Sequence, residues 1–334
     1  MKAWPKLEEP ILSAHCGLLE DRISKRLARL AFSSPAAHDY LDLVRDFVLK
    51  RNVLTTDVSS LRNMAIEVER KFFLWRETLP PDLADANKAL VKAFDYTWFE
   101  GADAKGGKPW GGVSLMRAIY KFARCCPYCN AESIYLINKE IKRKTQSAFG
   151  KSAFDHFLPK ARYPFLSVSV YNLIPACDRC NSKFKRDDFK APLFMWNPYD
   201  DAERKGDFDS CMRFVPLTRK PDVFLGEEFD PTFELRVRPI GVPTWWKGVL
   251  SERLFQLSSV YSQLFAGDAI DAIHKQIVFS PAYLDMVKKW FTAAGLGTVN
   301  VERLVFGIPA SRDSINLQRL GKLKLDLQRQ FEQK

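Results

Sequence analysis

Leu18, Leu19, Ile23, Leu27 and Leu30 recur at helical spacing, with Arg22, Lys25, Arg26 and Arg29 on the other faces. The chain therefore opens with an amphipathic helix, and its basic side reads as a solvated face. Ser33-Ser34-Pro35 breaks that run and supplies a start for the next, through Leu41, Val44, Phe47 and Val48. The pattern predicts a third helix from Ser60 to Thr78, stopped by Pro80-Pro81, and a fourth over Leu83 to Trp98. Residues 101–112 (GADAKGGKPWGG) carry no periodicity and read as a loop or linker. A short helix over Val113 to Phe122 leads into the first of two cysteine pairs.

Beyond Asp188 the pattern changes. Trp196-Asn197-Pro198-Tyr199-Asp200 reads as a turn, and Met212 to Val215 and Phe233 to Val237 are short strand-like runs among Pro, Gly and Asp. Helical spacing returns over Leu250 to Phe265, Ile270 to Ile277, Tyr283 to Thr292 and Ile315 to Phe331. The expected class is α+β: a mostly helical chain around a small central cysteine-bounded fold. By chain order it divides into an N-terminal helical region with its linker (1–112), a central domain (113–200), and a C-terminal region that is mixed, then helical (201–334).

No run approaches the roughly 20 apolar residues of a membrane span. The opening, MKAWPKLEEP, is charged and proline-broken, with no signal-peptide core. The expectation is a cytoplasmic protein without a membrane partner. Its seven cysteines agree, since an odd number in a long chain argues for metal binding over a disulfide framework. The formal net charge is +11. Between Arg117 and Lys190, fifteen basic side chains face six acidic ones, so most of the excess surrounds the cysteines. A polyanion such as nucleic acid is the partner such a charge attracts.

Cys126-Pro127-Tyr128-Cys129 and Cys177-Asp178-Arg179-Cys180 are two pairs of knuckle spacing. Each such turn points two thiolates at one tetrahedral position, and two turns complete a structural zinc site. A redox dithiol is the competing reading, without the strand-helix context it needs. Cys125 with Cys129 is an alternative spacing for the first pair. Between the pairs lie Asp155 and His156 in Phe154-Asp155-His156-Phe157-Leu158-Pro159-Lys160. On a strand, adjacent side chains take opposite faces, so one can hold a metal while the other reaches a water. His156 has the ordinary chemistry of a general base near neutral pH. Asn181 follows Cys180, and its amide oxygen beside the Asp155 carboxylate suits Mg²⁺ or Mn²⁺. Taken singly, each of these residues has an ordinary structural explanation as a cap, turn or surface group.

Asp-His, an asparagine sixteen residues on, and Cys-x-x-Cys-Asn, enclosed by an earlier Cys-x-x-Cys, together resemble the HNH endonuclease family. The resemblance spans Arg124 to Arg186. It implies a ββα-metal finger, a hairpin followed by a helix with one catalytic divalent ion, here stapled by the four-cysteine zinc site. It further implies that His156 is the general base, that Asp155 and Asn181 hold the metal, and that Asn172 braces the loop or orients the base. The family's final histidine is replaced by Asn181. DHFLPK, YNLIP and CNSKFK are similar, more narrowly, to HNH proteins of bacterial anti-phage systems such as Septu and retron-associated nuclease subunits, which work beside an ATPase. Lys160, Arg162, Lys183, Lys185 and Arg186 are the candidate phosphate contacts. The expected activity is DNA hydrolysis, by nicking or double-strand cutting, in anti-phage defence. An RNA- or tRNA-cleaving toxin and a non-catalytic zinc module that binds nucleic acid are the alternatives.

Overall fold

The computed structural model describes residues 2–103, 108–139, 147–186, 188, 190–200, 207–225, 232–296 and 300–332. Part of the 101–112 linker, Glu140, Lys142, Arg143, Lys144 and Asp187 of the basic segment, and the boundary expected at 201 lie outside the described residues. Among the described residues the protein is mostly helical, with three small antiparallel strand pairs. Its contacts divide the chain into two compact units. One comprises Ala3–Arg124 and Ile134–Ala202, and the other comprises Met1–Lys2, Cys125–Ser133 and Glu203–Lys334.

The first unit is built largely on amphipathic helices. Helix α1 (Glu9–Ala28) buries His15, Leu19, Ile23 and Leu27. Helix α2 (Pro35–Leu49) starts at Ser34, whose side chain accepts from the Ala37 N–H, with Pro35 in the first turn. It buries Tyr40, Leu41, Val44, Phe47 and Val48, and a fully buried Phe such as Phe47 contributes roughly 1.5–3 kcal/mol. Helix α3 (Val58–Val68) is capped by Asp57 and runs on as a π-helical turn, Glu69–Phe73. It ends short of the expected Thr78 because Leu74 and Trp75 turn left-handed, with φ of 50° and 58°. The expected helix over Leu83 to Trp98 is two, α4 (Pro81–Ala93) and α5 (Tyr96–Gly101), with Asp95 between them accepting from the Trp98 N–H. Helix α6 (Gly112–Tyr120) follows.

The strands of this unit are short. Strand β1 (Leu136–Lys139) pairs with β2 (Ser147–Lys151), a hairpin that the hydrophobic pattern does not announce. Strand β3 (Phe154–His156) pairs with β4 (Leu173–Pro175), setting Asp155 opposite Ile174 and His156 opposite Leu173. A π-helical segment, Arg179–Lys185, then leads to the short helix α7 (Ala191–Phe194). In the expected turn at 196–200, Asp200 accepts from the Asn197 N–H and pairs with the buried Arg62 at 2.6 Å.

The second unit begins with a short helix, α8 (Phe208–Cys211), and centres on β5 (Met212–Leu217) paired with β6 (Glu234–Pro239). Helices α9 (Trp245–Phe255) and α10 (Leu257–Leu264) replace one expected helix, because Gln256 adopts φ 49°. Helices α11 (Ala266–Val278), α12 (Pro281–Ala293), α13 (Val301–Phe306) and α14 (Gly321–Glu332) complete it. The turn bearing Cys126 and Cys129 groups with this unit. The reason is hydrogen bonding. Asn130 donates to the carbonyls of Ile315 and Gln318, its backbone oxygen accepts from the Leu320 N–H, and the Tyr261 hydroxyl donates to the Cys129 carbonyl.

Candidate active site

Strand β3 places Asp155 and His156 side by side on buried backbone, at 3% and 8% exposure. Both line one cavity of about 290 Å³, together with Asn181, Lys160, Lys185 and Arg186. Asn181 enters from the π-helical segment, its N–H bonded to the Cys177 carbonyl at 3.0 Å. A single turn of π-helix is a local distortion that recurs at functional sites.

The His156 ring nitrogen Nε2 lies 2.9 Å from the Ser167 carbonyl. A carbonyl only accepts, so Nε2 carries the proton and Nδ1 keeps the lone pair. The Tyr96 ring meets the imidazole edge-on at 4.4 Å between centroids. Burial first, then the charges of Lys160 and Lys185, pull the His156 pKa down to about 3 against the raising effect of the Ser167 bond. The imidazole is therefore neutral at physiological pH.

The loop that carries Ser167 is gripped at three successive carbonyls. Asn172 Nδ2 donates to Leu166, His156 to Ser167, and His15 to Val168 at 2.6 Å. Asn172 also clamps Leu158 from both sides, accepting its N–H at 2.7 Å and donating to its carbonyl at 3.0 Å. His15 is fully buried on α1, and its other ring nitrogen accepts from the Trp110 indole at 3.2 Å. Burial lowers its pKa to about 4, so it too stays neutral. The sequence reading missed His15 and Tyr96, because no local motif marks residues that reach this loop from far along the chain.

The candidate phosphate contacts divide. Lys160, Lys183 and Arg186 are exposed, and the Lys160 ammonium lies 4.7 Å from the Tyr96 ring centroid. Arg162 departs from its expected role. It is 6% exposed and grips Glu69 with two bonds of 2.7 and 2.8 Å, sharing that carboxylate with the Tyr163 hydroxyl. A buried bidentate pair of this kind holds the fold together and leaves no solvent face for phosphate. Lys185 also departs from a surface role. Its side chain is 1% exposed, and the ammonium donates to Asp155 Oδ1 at 2.7 Å and to the His156 carbonyl. It is a buried cation inside the cavity rather than a contact on its rim.

The sulfur atoms of Cys126, Cys129, Cys177 and Cys180 all lie within 4.8 Å of one another. Tetrahedral zinc with Zn–S of about 2.3 Å sets sulfurs roughly 3.8 Å apart, so this cluster can hold such an ion with small adjustment. Cys125 stands outside it. Its N–H bonds the Asn316 carbonyl, and burial pushes its thiol up to about 12.

Over 121 residues, 35% of its length, the chain is 30% identical to a bacterial relative. That relative is the Septu protein PtuB of Bacillus thuringiensis. The chain spans 42% of the length of PtuB, so the likeness to PtuB concerns one part of each protein. No family model matches the chain, and no solved structure matches it. Among the described residues, no helix is long and apolar enough to cross a membrane.

Proposed function

We propose that this protein is a metal-dependent endonuclease of the HNH kind, hydrolysing DNA phosphodiester bonds in bacterial anti-phage defence. The observation that carries the reading is the His156–Ser167 bond. It fixes one imidazole tautomer on a side chain that lines the same cavity as Asp155 and Asn181. A β-hairpin followed by a helical segment, with a four-thiol cluster, is the frame such a site needs. The defence context rests on the partial likeness to PtuB, and with it the expectation of a second subunit such as an ATPase.

The donors in the cavity fit one hard divalent ion. Asp155 offers a carboxylate oxygen and Asn181 an amide oxygen, the chemistry that Mg²⁺ and Mn²⁺ prefer. When bound, the ion supplies Lewis-acid polarisation of a phosphoryl oxygen. The rest falls to the chain. His156 Nδ1 takes a proton from the attacking water, while the Ser167 carbonyl holds Nε2–H and spreads the positive charge that develops on the ring. Lys160 and Arg186, on the cavity wall, stabilise the charge gathering on the phosphate oxygens. Lys185 fixes the Asp155 carboxylate in place through a bond to Oδ1. Asn172 keeps Leu158 and Leu166 in register, so the base and its carbonyl partner do not drift apart.

The test is incubation with supercoiled plasmid, linear duplex and RNA, each with Mg²⁺, Mn²⁺ or chelator. Nicked or linear plasmid that forms only with a divalent ion is the expected result. Cleavage of RNA with intact plasmid would move the reading to an RNA nuclease. Binding without cleavage of any substrate would leave a zinc-bearing nucleic-acid module.

A further inference from the structure

The C-terminal end of the basic stripe along α1, read from sequence as a solvated face, borders a groove. Arg26 and Arg29 of the first helical segment and Lys88 and Lys92 of α4 line a cavity of about 630 Å³, floored by Leu30, Ala89 and Ala93. Asp85, which pairs loosely with Lys88 at 3.4 Å, is the acid on its wall. On α4 the buried face is Leu83, Ala86, Asn87, Leu90 and Ala93. That leaves Asp85, Lys88, Ala89 and Lys92 as one outward stripe at spacings of three and four. Arg26 is committed to the fold, donating to the Lys92 carbonyl at 2.6 Å and to Asp95 at 3.1 Å. Arg29, Lys88 and Lys92 are exposed.

This groove does not end blindly. Lys92 also lines a second cavity of about 200 Å³, together with Asp95, Tyr96, Lys160 and Ser167. Tyr96 and Lys160 in turn line the cavity that contains Asp155 and His156. Three hollows thus run in series, each sharing a lysine with the next, first Lys92 and then Lys160. Basic side chains outnumber acidic ones in all three.

We infer that this series is the track for the DNA strand being cut, with Arg29, Lys88 and Lys92 holding phosphates upstream of His156. The inference rests on the endonuclease reading for its destination. The charge and continuity of the track stand without it. A polyanion with regularly spaced charges is the occupant that a line of exposed cations over small apolar side chains complements. Lys88 and Lys92 lie about 6 Å apart along the helix axis, at 1.5 Å per residue, so the two can hold neighbouring phosphates. Contacts of this type set the register of a strand without reading its sequence.

The test is anisotropy of a labelled single-stranded 20-mer oligodeoxynucleotide with the full chain, in buffer without added divalent ion, over a salt series. Arg29→Ala/Lys88→Ala/Lys92→Ala should bind at least about tenfold more weakly at 0.1 M salt. Its log–log salt slope should be shallower by roughly 2, at ~0.7 for each of the three phosphates no longer held. All three positions are exposed, and alanine favours a helix, so the variant should fold. Lys275→Ala/Lys288→Ala/Lys289→Ala removes the same charge elsewhere and should change affinity less than threefold. Equal weakening in the two variants would overturn the track, as would absence of binding by the wild-type chain. Tighter binding of an oligoribonucleotide of the same length would overturn the assignment to DNA. A wild-type chain that binds DNA through these residues but cuts nothing would sink the endonuclease reading alone.

Discussion

Two antiparallel strand pairs in this chain do opposite jobs. In β5–β6 burial alternates along the strand: Leu235 and Val237 face inward while Glu234, Arg236 and Arg238 face water. The N–H groups on its outer edge are met from a neighbouring helix, Leu235 donating to Ser262 Oγ and Val237 to Ser258 Oγ. In β3–β4 all six residues are buried, and two of them are Asp155 and His156. The first pair is a half-buried sheet stabilised by apolar area. The second buries ionisable groups at a cost of several kcal/mol unless each finds a partner. Both find one: Lys185 for Asp155 and the Ser167 carbonyl for His156.

Metal is the sharpest way to separate the two pairs. The segment after β4 carries Cys177 and Cys180, while β5–β6 has no thiol of the cluster. Elemental analysis should find about one zinc per chain, lost with Cys177→Ser, and its removal should unfold the β3–β4 region first. Apparent zinc-binding energies of about 10 kcal/mol make this the largest expected effect. Next comes Lys185→Ala, which takes the ammonium away from a buried carboxylate and should lower stability by roughly 3–5 kcal/mol in urea melts. Leu235→Ala on the other pair should cost about 2–5 kcal/mol through reduced apolar burial.

A smaller effect tests the loop that holds His156. The His15 pKa of about 4 lies below its ordinary 6.5, so as pH falls the unfolded chain takes the proton first. Stability is full above pH 6.5 and is lost on descending toward 4. His15 should account for roughly 2–3 kcal/mol of the difference between pH 7 and 4.5, and His15→Gln should remove that share. The smallest effect is expected on the exposed side of β6. Arg236→Ala, which loses only a surface pair with Glu234, should change stability by about 0.5 kcal/mol or less.

The contrast also explains what could be read in advance. The β5–β6 strands announce themselves by alternation, and the helices by their three- and four-residue spacing. The β3–β4 pair has no alternation to show, and only its chemistry marked it. Helix ends were the weaker part, because Leu74, Trp75, Asp95 and Gln256 stop helices by backbone conformation where no glycine or proline warns of it. Asp155, His156, Asn181 and the four cysteines were legible as motif. Their supports were not. Tyr96, His15 and Trp110 reach the site or its loop through tertiary packing, over separations of 60 and 153 residues for Tyr96 to His156 and His15 to Val168. Lys185 looked like one more surface cation because its burial is a property of the fold, and Arg162 because Glu69 lies 93 residues away.

The central claim is that His156 acts as the base of a hydrolytic site. Single-turnover cleavage of supercoiled plasmid by wild type and His156→Ala, with Mn²⁺ at pH 7.5, addresses it most directly. A rate about 10²–10⁴ lower is expected in the variant, with zinc content unchanged. Equal rates in the two proteins would contradict it.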